Sequence, residues 1–137
     1  MACPYFYPVE LLAGDFCERR PRSPLGGACR GTCRADSAEA FQPDDRTMQS
    51  FCNFGYGRNL CPRFPEYSPF DAVRFSVTQD DAEGLRIAFV LERDHSPLRH
   101  GVVQYRDGCL AGELPDECAE RQAEVFAGAY ARRRART

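Results

Sequence analysis

Between Phe51 and Pro65 the chain reads FCNFGYGRNLCPRFP, with Cys52 and Cys61 nine positions apart, two glycines between them, aromatic residues on both sides and a proline directly after the second thiol. Thiolates ligate soft metals and iron-sulfur clusters, and they also oxidise to disulfides. Cys3, Cys17, Cys29, Cys33, Cys109 and Cys118 bring the count to 8 in 137 residues, a high share for a cytosolic protein, so compartment decides between these chemistries. The segment Met1–Pro8 has no basic n-region, the apolar run from Val9 to Ala13 contains Glu10, and Asp15 and Phe16 separate Leu11-Leu12-Ala13-Gly14 from Cys17. Neither a signal peptide nor a lipidated cysteine is expected. No stretch approaches the roughly 20 apolar residues of a membrane helix. The expected setting is cytoplasmic and away from membranes, where thiols stay reduced and a cysteine cluster more often binds metal.

Zinc ribbons grip one ion with C-x2-C hooks, and none is present; the closest pair is Cys29-Arg30-Gly31-Thr32-Cys33. An iron-sulfur cluster draws its ligands from separated loops, often with proline after the cysteine, as at Cys3-Pro4 and Cys61-Pro62. Tyr5, Phe6 and Tyr7 follow the first of these, and Phe51, Phe54, Tyr56 and Phe64 surround the second; such side chains keep water from a cofactor. Arg58 or Arg63 could offset the charge of four thiolates. The expectation is a [4Fe-4S] cluster, with an all-cysteine zinc site as the alternative and disulfides or inert thiols third. Cys109 and Cys118 read as small buried hydrophobes.

The phrases CPYFYP, PLGGACRGTCRA, CNFGYGRNLCPRFP and VLERDH resemble those of a family of small bacterial cysteine-rich proteins. The resemblance covers most of the chain and brings no activity with it. It implies Cys3, Cys33, Cys52 and Cys61 as the ligand quartet, with Cys17 and Cys29 as substitutes. Spacing alone does not choose between Cys29 and Cys33.

The elements that position these thiols divide near Ser68-Pro69. Residues 1–68 hold seven of the ten prolines and little periodic apolar pattern, which predicts a loop-rich, metallocofactor-binding lobe. Inside it, Pro43-Asp44-Asp45 and Gly55 mark the start and stop of one short helix that turns Met48, Phe51 and Cys52 inward. Residues 69–137 alternate at Val73, Phe75 and Val77, continue with the run Ile87–Leu91 and add Val102, Val103 and Tyr105, which predicts a three-stranded antiparallel meander. Pro115-Asp116-Glu117 opens a C-terminal helix with Ala119, Ala123, Phe126, Ala127 and Tyr130 on one face. The expected class is α+β, the two parts forming one compact unit.

Other sites are weaker. His95 and His100 fall in a segment read as a polar hairpin turn, and no nucleophile accompanies them. Asp44-Asp45 and Asp80-Asp81 suit a helix start and a loop. Arg132-Arg133-Arg134 and Arg136, joined by Arg19-Arg20-Pro21-Arg22, suggest a nucleic acid contact, yet cations also complement a helix C-terminus and the net charge is −2. No nucleotide-binding or common hydrolase motif occurs. Together these features point to a small iron-sulfur protein with an electron-transfer or redox-sensing role and a protein redox or assembly partner, with enzyme activity built on His95 or His100 a distant third reading. The alternative is a structural metal module that mediates protein or nucleic acid interaction.

Overall fold

The computed structural model describes residues 2–11, 25, 29–35 and 41–135. In chain order these form β1 (Phe6–Leu11), β2 (Cys29–Cys33), a single α-helical turn α1 (Asp45–Thr47) running into a π-helical turn (Met48–Cys52), β3 (Ala72–Asp81), β4 (Gly84–Arg93), β5 (Ser96–Arg106), β6 (Cys109–Ala111) and α2 (Glu117–Ala135).

The class is α+β, and the sheet of the second half has four antiparallel strands in the order β3-β4-β5-β6 where three were expected. The difference lies at Asp107-Gly108, whose positive φ values of 52° and 78° make the tight turn that returns the chain for β6. Alternation sets the two faces. Val73, Phe75, Ile87, Phe89, Leu91 and Val103 are buried under α2, which contributes Ala119, Ala123, Phe126 and Ala127, and the Phe75 and Phe126 rings stack with centroids 5.7 Å apart. Arg74, Ser76, Arg86, His100 and Val102 occupy the outer, exposed face. The Asp116 carboxylate caps α2 by accepting from the Ala119 N–H at 2.9 Å.

The histidines do not share a turn. β4 and β5 are joined by Asp94-His95 alone, both with positive φ (51° and 62°), while Pro97 and His100 lie within β5. Contacts from Tyr56 of the first half and from Asp71, just before β3, hold these unusual conformations. Asp94 N–H donates to Asp71 Oδ2 at 2.8 Å, His95 N–H to the Tyr56 hydroxyl at 3.0 Å, and the Tyr56 and His95 rings stack at 4.0 Å. The residues VLERDH thus serve the junction between the two parts.

The first half is less loop-like than expected, because β1 and β2 pair antiparallel from Phe6↔Cys33 to Leu11↔Cys29 around an irregularity after Pro8. Proline and glycine disguise both strands. Proline is tolerated because a two-stranded ribbon is all edge, and glycine is required at Gly31 because a β-carbon there would collide with the Tyr7 carbonyl oxygen. The short helix starts where expected, the Asp44 carboxylate accepting from Thr47 N–H at 2.7 Å. It then widens into a π-turn, Asn53 N–H reaching back to Met48 C=O at 3.0 Å, and Gly55 (φ 76°) ends it. Met48 and Cys52 are buried, with Phe51 half-buried.

The two halves are knitted by backbone and side chain. Ala2 and Val73 exchange hydrogen bonds of 2.7 and 2.8 Å beside β3. Gln122 of α2, fully buried, donates to the carbonyls of Cys3 at 2.8 Å and Phe6 at 2.7 Å. Among the described residues, no helix is long and apolar enough to cross a membrane.

Candidate metal centre

Four separate pieces of chain bring four thiols to one cavity of about 210 Å³. Cys3 begins the turn Cys3-Pro4-Tyr5-Phe6, closed by Phe6 N–H donating to Cys3 C=O at 3.1 Å, with proline favoured at its second position. Cys33 ends β2. Cys52 ends the π-turn, and its carbonyl accepts from Cys3 N–H at 3.1 Å, which sets the first and third thiols side by side. Cys61 follows a tight loop in which Gly55, Tyr56 and Asn59 take positive φ values and the Cys61 N–H donates to Gly57 C=O at 2.6 Å. Gly57 is required for close approach, since a β-carbon there would lie 3.0 Å from the Cys61 β-carbon.

The remaining walls are largely apolar. Tyr5, Phe6, Phe41, Phe51 and Phe64 line the cavity, together with Pro43, Pro62, Asp44 and Arg63. Tyr5 meets Phe64 edge to face with centroids 5.7 Å apart. Of the two arginines proposed to balance the thiolates, only Arg63 lines the cavity; its charge favours ionisation of Cys33. Arg58 is committed elsewhere, to Asp71 Oδ1 and to the carbonyls of Glu66 and Ser68, where it fastens the Cys61 loop to the start of β3.

Cys29 and Cys33 are separated by the strand itself. Four residues of extended chain span about 13 Å, and Cys29 is buried in the core at the far end of β2, away from the cavity lining. Cys17 lies outside the described residues. Cys109, expected to be buried, is exposed on the short edge strand β6, whereas Cys118 is buried at the start of α2 as expected. Cys3, Cys33, Cys52, Cys61, Cys109 and Cys118 are in no disulfide.

No family model, curated protein or solved structure matches this chain. The geometry of the cavity therefore carries the functional argument.

Sequence patterns overlooked two supports of the site. Asn53, 1% exposed, accepts from Cys29 N–H at 2.9 Å through its side-chain oxygen and donates to Cys29 C=O at 3.0 Å and Met48 C=O at 2.8 Å. One amide thereby clamps β2 to the π-turn. Gln122 performs the corresponding task for the Cys3 turn from α2. Asn53 stands directly after a cysteine at a helix end, a position where a local hydrogen-bonding role is a readable signal; nothing around Gln122 distinguishes it from other polar helix residues.

Burial holds the Cys3, Cys33 and Cys52 thiols neutral. It pushes Cys52 up to about 12 from the ordinary 9.0, reinforced by the neighbouring Cys33 and Cys61 thiols, and raises Cys3 and Cys33 as well. Cys118 is likewise pushed up to about 12 by burial and by Asp116. In the metal-free protein these groups keep protons that the unfolded chain releases near pH 9, so stability is full below about pH 9 and is lost as pH rises toward 12. Metal reverses the sign, because coordinated thiolates have already given up their protons and acid competes for them. Urea titrations of the metal-free protein should show a flat unfolding free energy from pH 7 to 8.5 and a decline above 9, and the loaded protein should instead weaken toward acid.

The residues present suit an inorganic group. The donors are four sulfurs and one carboxylate, enclosed by aromatic rings with one guanidinium at the rim. As they stand, no three metal-ligating side chains among the described residues are close enough to share a single ion.

Proposed function

We propose that Cys3, Cys33, Cys52 and Cys61 hold one [4Fe-4S] cluster and that the protein serves electron transfer or redox sensing in the cytoplasm with a protein partner. The observation that carries this reading is the arrival of four thiols from four remote segments at one cavity walled by aromatic side chains. A cubane cluster bound by four cysteines would supply one-electron oxidation and reduction with no coordination position left open for a substrate. The chain's own contribution is to fix the four sulfurs on turns with little freedom, to keep water out with Tyr5, Phe41, Phe51 and Phe64, and to set Arg63 beside the developing charge. The motifs CPYFYP and CNFGYGRNLCPRFP serve this one cavity, which supports grouping the chain with the bacterial cysteine-rich proteins they resemble.

The all-sulfur donor set also suits a structural zinc ion, the second reading, in which the fold presents a surface to a protein or nucleic acid. Zinc would draw the sulfurs to about 2.3 Å from one point, and so requires the four segments to close up further than a larger group does. Anaerobic purification decides between them. A brown protein with a broad band near 400 nm and about four irons per chain is expected. A colourless protein with one zinc selects the second reading, and one that takes up neither metal after reconstitution refutes both.

A further inference from the structure

The solvent side of the cavity lies between the limbs that carry Cys33 and Cys61. Phe41 belongs to the first limb, exchanging both backbone hydrogen bonds with Cys33 at 2.6 and 3.0 Å. Arg63 belongs to the second, two residues beyond Cys61. The guanidinium carbon of Arg63 sits 3.4 Å from the centroid of the Phe41 ring, so a cation–π contact joins the two limbs. Both members of the pair are exposed, Phe41 to 38%, and Leu60, next to Cys61 in the chain, is 68% exposed. The opposite wall, with Cys52 and Phe6, is buried. Among the described residues Arg63 has no carboxylate partner, although 20 acidic residues are available in the chain. A charge left uncommitted at the rim of a four-thiol cavity is explained if its partner is the anionic centre within.

We propose that Arg63 and Phe41 form a clasp over the mouth of the metal centre, the side by which metal enters and leaves and by which chelators and small oxidants reach it. The inference rests on reading the cavity as a metal centre. Stacked, the pair links the Cys33 and Cys61 limbs and holds a positive charge over the thiolates; parted, it leaves the two limbs free to separate on the exposed side of the cavity. Such a contact is weak at a solvent-facing site, so the clasp retards exchange without preventing it.

The test uses the loaded full-length protein, purified without oxygen and mixed with an excess of a coloured chelator for ferrous iron or zinc. With release normalised to the metal each protein holds at the start, Arg63→Ala and Phe41→Ala should each release metal about fivefold faster than wild type. The double variant should release it no faster than either single one, because both remove the same contact. Arg63→Lys, keeping charge without the planar stack, should fall between wild type and Arg63→Ala. Wild-type release rates in both single variants, or rates that multiply in the double variant, overturn the clasp while leaving the metal reading intact. A wild-type protein that carries neither iron nor zinc overturns the metal reading, and the clasp with it.

Discussion

Cys33→Ala should empty the metal centre, and Cys29→Ala should leave it loaded. The two thiols stand on one strand of five residues and look equivalent in the sequence, yet β2 delivers one to the cavity and buries the other in the core. Loss of groups that merely orient a ligand costs roughly 10- to 100-fold in metal affinity. Loss of a ligand itself should cost at least about 100-fold, so Cys33→Ala is expected to retain under a tenth of the wild-type metal after gel filtration. Cys29→Ala removes one buried sulfur and should cost about 1 kcal/mol through the small cavity it leaves, lowering the melting temperature without changing the metal content or the visible spectrum. Metal analysis and thermal melts on the two proteins, prepared identically, check both halves. Loss of metal from Cys29→Ala with retention in Cys33→Ala would show that the strand presents the other thiol.

The contrast between these cysteines also shows where sequence patterns stop. Strands with a strict two-residue alternation were readable, and Val73, Phe75 and Val77 opposite Ile87 and Phe89 gave the sheet its faces. The apolar stripe of α2 was equally plain because Ala123, Phe126 and Ala127 recur at helical spacing and join the buried core. Asp107-Gly108 is among the strongest hairpin signals a chain can carry, but β6 beyond it is three residues long and too short to alternate. In the first half the failure has another origin. β1 contains Pro8 and β2 contains Gly31, residues that argue against strands in general, and here a lone ribbon tolerates the first while crowding by Tyr7 demands the second. The π-turn was invisible because one extra residue per turn depends on Asn53 reaching across to Cys29, 24 positions away, and no local pattern encodes that partner. The proposed ligand quartet came from motif resemblance, while the convergence of its four thiols on one cavity depends on long-range contacts of Gln122, Asn53 and Ala2.

Asn53 is therefore the residue outside the thiols whose loss should be felt most. Its side chain is buried, and it hydrogen-bonds both the N–H and the C=O of Cys29 while holding Met48 C=O. Asn53→Leu keeps the volume and removes every one of these bonds. A buried hydrogen bond contributes about 1 kcal/mol net. With two such bonds to Cys29 removed, and Met48 C=O still served by the Asn53 backbone, the expected loss is about 2 kcal/mol, read as a lowered urea midpoint of the metal-free protein. Asn53→Asp should behave differently. Its oxygens can still accept from Cys29 N–H, but at neutral pH a carboxylate would face the carbonyls of Cys29 and Met48 and repel both. Burial and those carbonyls raise its pKa above that of the unfolded chain, so this variant should regain stability as pH falls, when a carboxylic acid can donate to one carbonyl. Because the clamp aligns β2 with the π-turn, both variants should also load less metal than their residual stability predicts, Cys33 and Cys52 being no longer held on the same cavity. A substitution that lowers the urea midpoint negligibly, or one that leaves metal content at the wild-type level, would show that the strand and the π-turn keep their register without the amide.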